Sequence, residues 1–517
     1  MSFRFQFRRG TTAERDAANP VLAAGEPAVV LDSGQPAELV LGDGVTAMTD
    51  LRRAVWGDDA RLAAAATATQ PGDLGTAAAA DASDFATAAQ GVHEARKFEI
   101  RRAKGGVIGT AGKGVVAWRA DHLIDQHLST TWPILRDRGM PCGLGVVTKA
   151  IPPSTLNTEP TTTTWDQLRT MHWEGCEIWS HSATHKEPAP LGTGGGLSLA
   201  DEITGSRTEL ESQNLRVMGW QSPGVNPGPI LTPGYSNNFD TMDKFTTEAG
   251  QLYLANYGLI EMGGNPANAG AVRYLPTQGT YAYAHSVTVE SSTLANCQKY
   301  VDLAATLGVG VELMFHPKYV GMAGQMTVAD FTALADYVKQ KWDDGSIEVL
   351  TPSGLAFADP GTSRRANLIT NGDFEGLTLS GDNIGPWVLT TATGVTVGTD
   401  GGHSGSNYVR LGATSTGLLR QSNTYVRQLG VQGASFIVDA WVRAPLSDGT
   451  VRIDIVDNSG NTPAFSTFKT FALTGGATWQ KVRVPFCIPK TCTNLMVRIR
   501  RWTGDAVDVD DVTVRAI

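Results

Sequence analysis

Two histidines that stand four residues apart, His181 and His185, are the side chains of this sequence best suited to bind a metal ion. They follow the short apolar segment 176–179, so we expect them where a strand ends and its loop begins. A catalytic zinc-type site uses three protein ligands and leaves one position open. Asp121, which closes another apolar segment, is the nearest match to the missing ligand. The sequence therefore predicts a metal centre of Asp121, His181 and His185.

Polar side chains close several apolar segments between residues 114 and 355 in the same way. In chain order these side chains are Asp121, His181, Gln221 and His316. Helical patterns lie between the segments, for example residues 294–307, which end at Gly308. Alternating strands and helices over ~240 residues argue for a (β/α) barrel, whose chemistry gathers at the carboxyl ends of its strands. We therefore expect a central, distorted α/β barrel in which these polar residues converge.

Residues 175–185 read GCEIWSHSATH and resemble the second motif of the polysaccharide deacetylases. These are metal-dependent carbohydrate esterases that include chitin and peptidoglycan deacetylases. The resemblance implies that His181 and His185 bind the metal. Residues 115–122 are similar to the first motif of the family, a strand that ends in two aspartates and a glycine. In that alignment the metal-binding second aspartate falls on Asp121.

Residues 313–316 resemble the last motif of the family, whose histidine is a general acid, and this implies that role for His316. The catalytic base of the family, the first aspartate of the first motif, falls on Ala120. Gln221 stands where an arginine usually orients that base, so the two departures agree with each other. A base normally adds some 10²–10⁴-fold to the rate, so its absence should slow turnover without abolishing it.

The predicted chemistry is the hydrolysis of an N-acetyl or O-acetyl group. A divalent cation, with zinc as the expected metal, would lower the pKa of bound water from about 15.7 to roughly 7 and polarise the acyl oxygen. The leaving amine or alcohol must then gain a proton, which His316 could donate. His122, Asp125 or a group of the substrate could replace the missing base. His122 and Gln221 are therefore the secondary candidates for the site.

Each of these side chains also has an ordinary structural explanation. Asp121 could cap the turn that follows it, and His122 and His316 could be hydrogen-bonded core or surface groups. A further alternative is that the barrel keeps its metal and its sugar groove but only binds.

Composition limits the partners of this chain. Its 517 residues are too many for one hydrophobic core, so we expect three or four units. The formal net charge of -9 leaves no broad basic surface, so nucleic acid is not an expected partner. No apolar stretch approaches the ~20 residues that cross a bilayer, and residues 1–8 alternate instead of forming a signal peptide. We therefore expect synthesis in a cytoplasm and no membrane insertion.

The five cysteines do not form a disulfide framework. Cys487 and Cys492 are close enough in sequence to pair if the protein works outside a cell. Two buried thiols are the alternative.

Three short motifs occur in order near the start of the chain, RGT at 9–11, LAAGEP at 22–27 and LGDG at 41–44. They resemble the N-terminal attachment module of phage tail-fibre and tail-tip proteins, which are often trimeric. The residues themselves indicate a small β-rich module with a hairpin-like pair of strands over 26–41. The alanine-rich segment that follows buries too little apolar surface to fold alone. It suits a linker or a trimeric stalk, and disorder is the alternative.

Short alternating runs separated by turn residues fill the last part of the chain, for example residues 451–456. This pattern is typical of an antiparallel β sandwich. Residues 367–375, 403–407 and 510–514 resemble the first strand, a middle loop and the last strand of jelly-roll carbohydrate-binding modules.

Acids of the two terminal strands often hold a structural calcium ion in those modules, and the matching positions are Glu375 and Asp511. Solvated surface acids are the alternative. The sequence does not locate the sugar-binding face, because Trp387, Tyr408 and Trp441 could stack on a sugar or belong to the core.

These inferences combine into four expected parts. They are a tail attachment module (1–58), an alanine-rich stalk or linker (59–98), a polysaccharide deacetylase-like barrel (99–362) and a carbohydrate-binding jelly-roll sandwich (363–517). We expect a virion tail protein, a homotrimer in contact with other phage tail proteins, which binds and deacetylates a host cell-surface polysaccharide or peptidoglycan outside the cell. The alternative is a catalytically inactive receptor-binding fibre that only recognises glycan, and a third reading is a purely structural spike.

Overall fold

A computed structural model of the chain divides into two compact units, Met1–Ala82 and Ser83–Ile517. The residues that the structure describes are 8–10, 27–30, 38–41, 53–55, 82–154, 156, 160–190, 196–224, 231–236, 245–261, 272–275, 286–362, 367–377, 379–380, 383–389, 393–414, 419–423, 434–460, 466–476, 478–489 and 491–517.

The first unit contains a four-stranded sheet in which each strand pairs with the next along the chain. Its strands are β1 (Arg8–Gly10), β2 (Pro27–Val30), β3 (Glu38–Leu41) and β4 (Arg53–Val55). The β1 strand runs parallel to β2, and the other two pairs are antiparallel. The hairpin predicted over 26–41 is confirmed by the β2–β3 pair. Residues 59–81 of the predicted stalk or linker lie outside the described residues.

Helix α1 (Ala82–Ala103) occupies the end of the segment that was predicted to be a linker. Alanine is the best helix former, and this helix has an apolar side that packs in the second unit. Ile100 and Ala103 are buried, and the Nδ1 atom of His93 lies 2.7 Å from the carbonyl oxygen of Tyr257. The segment therefore gains the burial that its alanine-rich composition alone does not provide.

The second unit is built on a nine-stranded sheet. Its strands are β6 (Gly114–Asp121), β7 (Cys142–Val146), β8 (Cys176–Ser180), β9 (Val217–Gln221), β10 (Ile260–Glu261), β11 (Val272–Arg273), β12 (Ser286–Thr288), β13 (Gly310–Phe315) and β14 (Ile347–Leu350). The order is β10-β9-β8-β7-β6-β13-β11, with β12 also paired to β13 and β14 to β6. Every pair is parallel except β11 with β13. A small parallel pair, β5 (Ile108–Gly109) with β15 (Ala358–Asp359), lies beside it.

Helices separate the strands of this sheet, as the sequence predicts. They are α2 (Ile124–Gln126), α3 (Trp132–Asp137), α4 (Trp165–Trp173), α5 (Ser206–Ser212), α6 (Glu248–Asn256), α7 (Leu294–Leu307), α8 (Val328–Asp343) and α9 (Pro352–Ala356), with wider turns at His127–Thr131 and Asp201–Gly205 and a short 3₁₀ turn at Thr148–Ala150. Thr164 caps α4 in a capping box with Gln167, and Gly308 ends α7 with φ +66°.

The nine-stranded sheet curls into a parallel half barrel, whereas the sequence led us to expect a barrel. Among the described strands its two ends, β10 and β11, do not pair with each other. All residues of β6, β8 and β13 are buried, as is typical of the strands of parallel sheets. The carboxyl ends of these strands carry Asp121, His181 and His316, so the predicted polar positions do share one edge of the sheet.

The C-terminal part is an antiparallel β sandwich, as predicted. Its strands are β16 (Leu379–Ser380), β17 (Asn383–Ile384), β18 (Trp387–Leu389), β19 (Val395–Gly398), β20 (Tyr408–Leu411), β21 (Leu419–Asn423), β22 (Ser435–Arg443), β23 (Gly449–Asp457), β24 (Ser466–Leu473), β25 (Gln480–Cys487), β26 (Leu495–Gly504) and β27 (Val507–Ala516). One sheet has the order β16-β17-β18-β21-β26-β23-β24 and the other β19-β20-β27-β22-β25. Val438, Ile453 and Ile499 are among the residues of the core between them.

The sandwich packs against the half barrel inside the second unit. Ile437 and Ile517 belong to the apolar cluster of the central sheet. The Nζ atom of Lys104 lies 3.3 Å from Oε1 of Glu177, and neither side chain is exposed. Ser435 of β22 donates a hydrogen bond to the same glutamate at 2.9 Å. A buried polar network therefore links the two parts.

All five cysteines, including Cys487 and Cys492, are buried free thiols. Among the described helices, none combines the length and apolar character that a membrane crossing requires.

Candidate functional site

Three histidines converge at the carboxyl edge of the central sheet. His122 follows β6, and His181 and His185 follow β8. Their candidate ligand atoms all lie within 4.8 Å of one another, and this is the set of metal-ligating side chains that the described residues bring together. The ring centroids are 4.5 Å apart for His122 and His185, 5.1 Å for His181 and His185, and 5.4 Å for His122 and His181. Three imidazoles at this spacing fit a tetrahedral zinc site with one open position.

The backbone is strained where it presents these rings. His122, Leu123, Ser182 and His185 all have positive φ, at +38°, +52°, +72° and +59°. Residues other than glycine seldom adopt such angles, and strain of this kind clusters at functional sites. The two loops therefore hold the histidines in a backbone conformation that carries an energetic cost.

Burial favours the neutral, metal-binding form of two of these imidazoles, His181 and His185. Burial lowers the pKa of His181 to about 3, and burial also lowers the pKa of His185. The Nδ1 atom of His181 lies 3.0 Å from the carbonyl oxygen of Gln221. Because a carbonyl only accepts, Nδ1 carries the proton and Nε2 keeps its lone pair. This is the usual way in which a protein orients a metal-binding histidine.

Asp121, predicted as the third ligand, is not part of the histidine set. Arg119 donates to both of its carboxylate oxygens, at 2.7 Å from Nε to Oδ1 and 2.8 Å from Nη2 to Oδ2. Burial alone would raise the pKa of Asp121, but the charge and the hydrogen bonds of Arg119 outweigh it and hold that pKa well below the ordinary range. The carboxylate is therefore ionised and fixed in orientation next to the histidines.

Further buried charges lie beneath this pair. Arg119 also donates to Glu312 at 2.8 Å and to Glu261 at 3.3 Å, and Arg273 donates to Glu312 at 3.0 Å. Burial, together with the neighbouring Glu312, raises the pKa of Glu261 to about 8. These charged residues were not predicted from the sequence, although Arg119 and Glu312 stand inside otherwise apolar strands.

His316, the predicted general acid, lies beside the cluster, with its ring centroid 5.3 Å from that of His122. Its Nδ1 atom lies 2.6 Å from Oε1 of Glu290, a partner that the sequence analysis missed. Burial alone would lower the pKa of His316, but the hydrogen bond and charge of Glu290 and the charge of Asp121 raise it. His316 is therefore suited to hold a proton on Nε2, the ring nitrogen that Glu290 leaves open.

The two positions that depart from the family motifs, Ala120 and Gln221, and the suggested substitute base Asp125 have other contacts. Ala120 lies in the apolar cluster of the sheet. Asp125 accepts hydrogen bonds from the backbone amides of Thr162 and Thr163 at 2.9 Å each, so it organises a loop. Neither amide atom of Gln221 has a hydrogen-bond partner among the described residues. Its side chain packs over Gly145, where a Cβ would collide with it.

A cavity of about 180 Å³ opens next to the histidines. His122 and His185 form one wall, and Leu123, Thr161 and Lys318 are among the other lining residues. Since a water molecule takes about 30 Å³ of liquid volume, the cavity can admit a small acyl group together with water.

The aromatic candidates of the sandwich separate clearly. Trp387 is fully buried and belongs to the sandwich core. Tyr408 is also buried, but it packs against Arg410, Arg443 and Trp479 and not in that core. Trp441 stacks on His403 with ring centroids 3.8 Å apart. Among the described residues of the sandwich, the exposed rings are Phe468 and Trp502, with 53% and 45% of their surface accessible. The sequence did not single them out because exposure depends on strand register.

The two predicted calcium ligands approach one loop. Oε1 of Glu375 accepts from the backbone amides of Ser406 and Asn407 at 2.8 Å each. Asp511 contacts His403 and Ser404 of the same loop at 2.6 Å each. The set of three metal-ligating side chains found in the described residues does not include Glu375 or Asp511, so calcium binding here stays a prediction.

Comparisons with known proteins cover the two ends of the chain. Residues 5–46 match the sequence model of the major tropism determinant N-terminal domain, and residues 366–505 match that of a carbohydrate binding domain. These similarities support a phage tail protein with a carbohydrate-binding module. Neither match covers the half barrel and its histidines. No curated protein matches the chain.

Several solved structures are similar to part of this chain. TmCBM61 in complex with beta-1,4-galactotriose is 16% identical, with 29% of this chain and 99% of that chain covered and a TM-score of 0.24. The CBM22-2 xylan-binding domain of Paenibacillus barcinonensis Xyn10C is 15% identical, over 28% of this chain and 98% of that chain, with a TM-score of 0.23. The enzymatically active domain of bacteriophage CBA120 tailspike protein 4 is 16% identical, over 33% of this chain and 22% of that chain, with a TM-score of 0.24.

Proposed function

We propose that this phage tail protein binds an acetylated polysaccharide or peptidoglycan of the host envelope and removes its acetyl groups in a metal-dependent reaction. The observation that carries this proposal is the convergence of three imidazoles, two of which line a cavity, with the neighbouring His316–Glu290 pair. We also propose that the half barrel is a distorted (β/α) barrel of the deacetylase type. It also includes a location in the virion and action outside the host cell.

His122, His181 and His185 would hold the metal, with zinc as the expected ion because three imidazoles suit it. A divalent metal bound there supplies Lewis acidity that activates water and polarises an acyl oxygen. In this assignment His122 takes the place that the sequence suggested for Asp121. The donor set fits, since His181 keeps Nε2 unprotonated and all three rings face one another.

With the three histidines as metal ligands, Asp121 is free to act as the base that accepts the proton of the attacking water. If the first motif of the family is aligned one residue later, Asp121 falls on the base, His122 on the metal ligand and Leu123 on the glycine. The φ of Leu123, +52°, is an angle that glycine adopts freely. Arg119 orients Asp121, a task that the family gives to an arginine at the place of Gln221. The apparent loss of the base at Ala120 is thereby explained.

His316 donates the proton that the leaving amine or alcohol requires. Glu290 accepts from Nδ1, fixes the ring and keeps it protonated, so Nε2–H faces the reacting group. Acid and base are thus supplied by His316 and Asp121 on neighbouring strands, β13 and β6.

The sandwich would retain the polymer while the half barrel acts on it. Its exposed rings, Phe468 and Trp502, form a platform on which sugar rings can stack. From the sequence we further propose that Glu375 and Asp511 bind a structural calcium ion. We also propose that the protein is a homotrimer in contact with other tail proteins.

The second candidate function is a receptor-binding fibre whose half barrel does not turn over substrate. It is favoured by the unpartnered amide of Gln221, which stands where an orienting arginine would be expected. Acetate release from host envelope material separates the two functions. The enzyme releases acetate, a chelator stops the release and zinc restores it. If the zinc-loaded protein binds the material but releases no acetate, the protein is a receptor-binding fibre without deacetylase activity.

A further inference from the structure

The outer face of the β18-β21-β26-β23-β24 sheet carries a group of arginines around its two exposed rings. Val451 and Ile453 of β23 and Val497 and Ile499 of β26 point into the sandwich core. Because successive side chains of a strand point to opposite faces, the alternate residues face outward. The outward arginines of this face are Arg420, Arg452, Arg498 and Arg500.

These arginines stand directly opposite one another in pairs. Arg420 pairs with Arg498 across β21 and β26, and Arg452 pairs with Arg500 across β23 and β26. Like charges at directly opposed positions destabilise a sheet. The arrangement is therefore not explained by stability of the sandwich alone.

One acid, Asp454, shares the face on these strands. It accepts from Nε of Arg452 at 2.7 Å, and its Oδ2 lies 3.0 Å from Nε of Arg500. A single carboxylate does not balance four guanidinium groups. The chain as a whole carries a net charge of -9, so this basic face contrasts with the rest of the molecule.

The arginines touch the exposed rings. The guanidinium carbon of Arg452 lies 3.6 Å from the ring centroid of Phe468 and 4.6 Å from that of Trp502. The guanidinium carbon of Arg500 also lies 4.6 Å from the Trp502 centroid. A sugar that stacks on either ring therefore lies within reach of a guanidinium group. A ligand that pairs with this cation must carry its negative charge on the stacked sugar.

We propose that this face binds a polysaccharide whose sugar rings carry carboxylates, that is, a uronic acid polymer. This inference rests on the proposed glycan binding and specifies its ligand. Guanidinium groups form paired hydrogen bonds with carboxylates, and the aromatic rings provide the stacking surface. Single-stranded nucleic acid would use the same two features, but its charge lies on the backbone between the stacked bases.

Calorimetry with the full chain tests the proposal, using polygalacturonate, its fully methyl-esterified form and an oligothymidylate. Arg452→Gln/Arg500→Gln removes the two guanidinium groups that contact the exposed rings and keeps amide donors for Asp454. Trp502→Ala removes one ring, and Arg101→Gln on α1 is the control for charge. We expect polygalacturonate to bind at least about ten-fold more tightly than its ester. The arginine variant should lose this preference and the control should keep it.

Other outcomes overturn the proposal in distinguishable ways. Equal binding of polymer and ester, abolished by Trp502→Ala but unchanged in the arginine variant, overturns the charge selectivity and leaves glycan binding intact. Tighter binding of oligothymidylate overturns the carboxylate ligand. Failure to bind either polymer or a panel of host glycans overturns glycan binding itself and this inference with it.

Discussion

Arg119 holds both carboxylate oxygens of Asp121, while the neighbouring residue His122 turns its ring towards His181 and His185. Two adjacent residues at the end of one strand thus have separate tasks. The strained backbone at His122 makes this division possible, because it sends the imidazole towards the β8 loop.

Glu290 should matter for turnover more than for substrate binding. Glu290→Gln keeps a hydrogen-bond acceptor but removes the charge that keeps His316 protonated. We expect kcat for acetate release to fall roughly 10–100-fold with little change in KM, as for other partners that orient catalytic groups. Steady-state kinetics checks this, and Asp330→Asn on α8 is a control for charge. An unchanged kcat would remove His316 from the proton-transfer role.

Two buried histidines outside the site predict how stability depends on pH. Burial lowers the pKa of His172 to about 4 and that of His127 to about 3, against an ordinary value of 6.5. A histidine whose pKa is lowered in the folded state contributes stability above pH 6.5, and this is lost as the pH falls towards the folded value.

For His172 the full effect is of order 3 kcal/mol. His172→Asn keeps a donor near Nδ1, which lies 3.0 Å from the carbonyl oxygen of Cys176, but it removes the titration. Urea unfolding at pH 7 and pH 4.5 should show a smaller drop in free energy of unfolding for the variant than for the wild type. Equal drops would mean that His172 is charged in the folded protein.

The Lys104–Glu177 pair should couple the half barrel to the sandwich. Lys104→Met leaves the glutamate charge buried without its cation, so we expect a loss of about 3–5 kcal/mol in free energy of unfolding. Lys104→Met/Glu177→Gln should recover part of that loss, because the orphaned charge is removed. A double-mutant cycle measured with urea checks this. Additive losses would show that the two side chains act independently.

Calcium binding by Glu375 and Asp511 predicts a ligand-dependent melting temperature. At 100 times the Kd, calcium should add about 2.7 kcal/mol to the stability of the site that binds it. Differential scanning calorimetry with calcium and with chelator should show the shift in the wild type and in the control Asp505→Asn. Glu375→Gln should abolish it. A wild type that melts identically in both buffers does not bind calcium structurally.

The sequence located the parts of the site that depend on local spacing. His181 and His185 follow one apolar strand, so their proximity could be read directly, and the alternation in β23 predicted a sandwich strand. The roles of Asp121 and His122 could not be assigned, because they depend on the φ of a single residue and on Arg119 lying on the same face of β6.

Long-range pairing hid the remaining features. Glu290 meets His316 only because β12 and β13 are neighbours in the sheet. The arginine pairs and the exposed rings of the sandwich depend on strand register, which composition and motifs do not determine. Alternation of strands and helices predicted a distorted (β/α) barrel, but alternation does not determine whether the ends of a sheet meet.

Metal content compared with acetate release in two adjacent variants tests the central claim most directly. Asp121→Asn should keep the zinc content of the wild type, measured by mass spectrometry of the purified protein, while its rate falls roughly 10²–10⁴-fold. His122→Ala should lose both the zinc and the activity. The opposite result, with zinc lost from Asp121→Asn and kept by His122→Ala, would contradict the three-histidine centre.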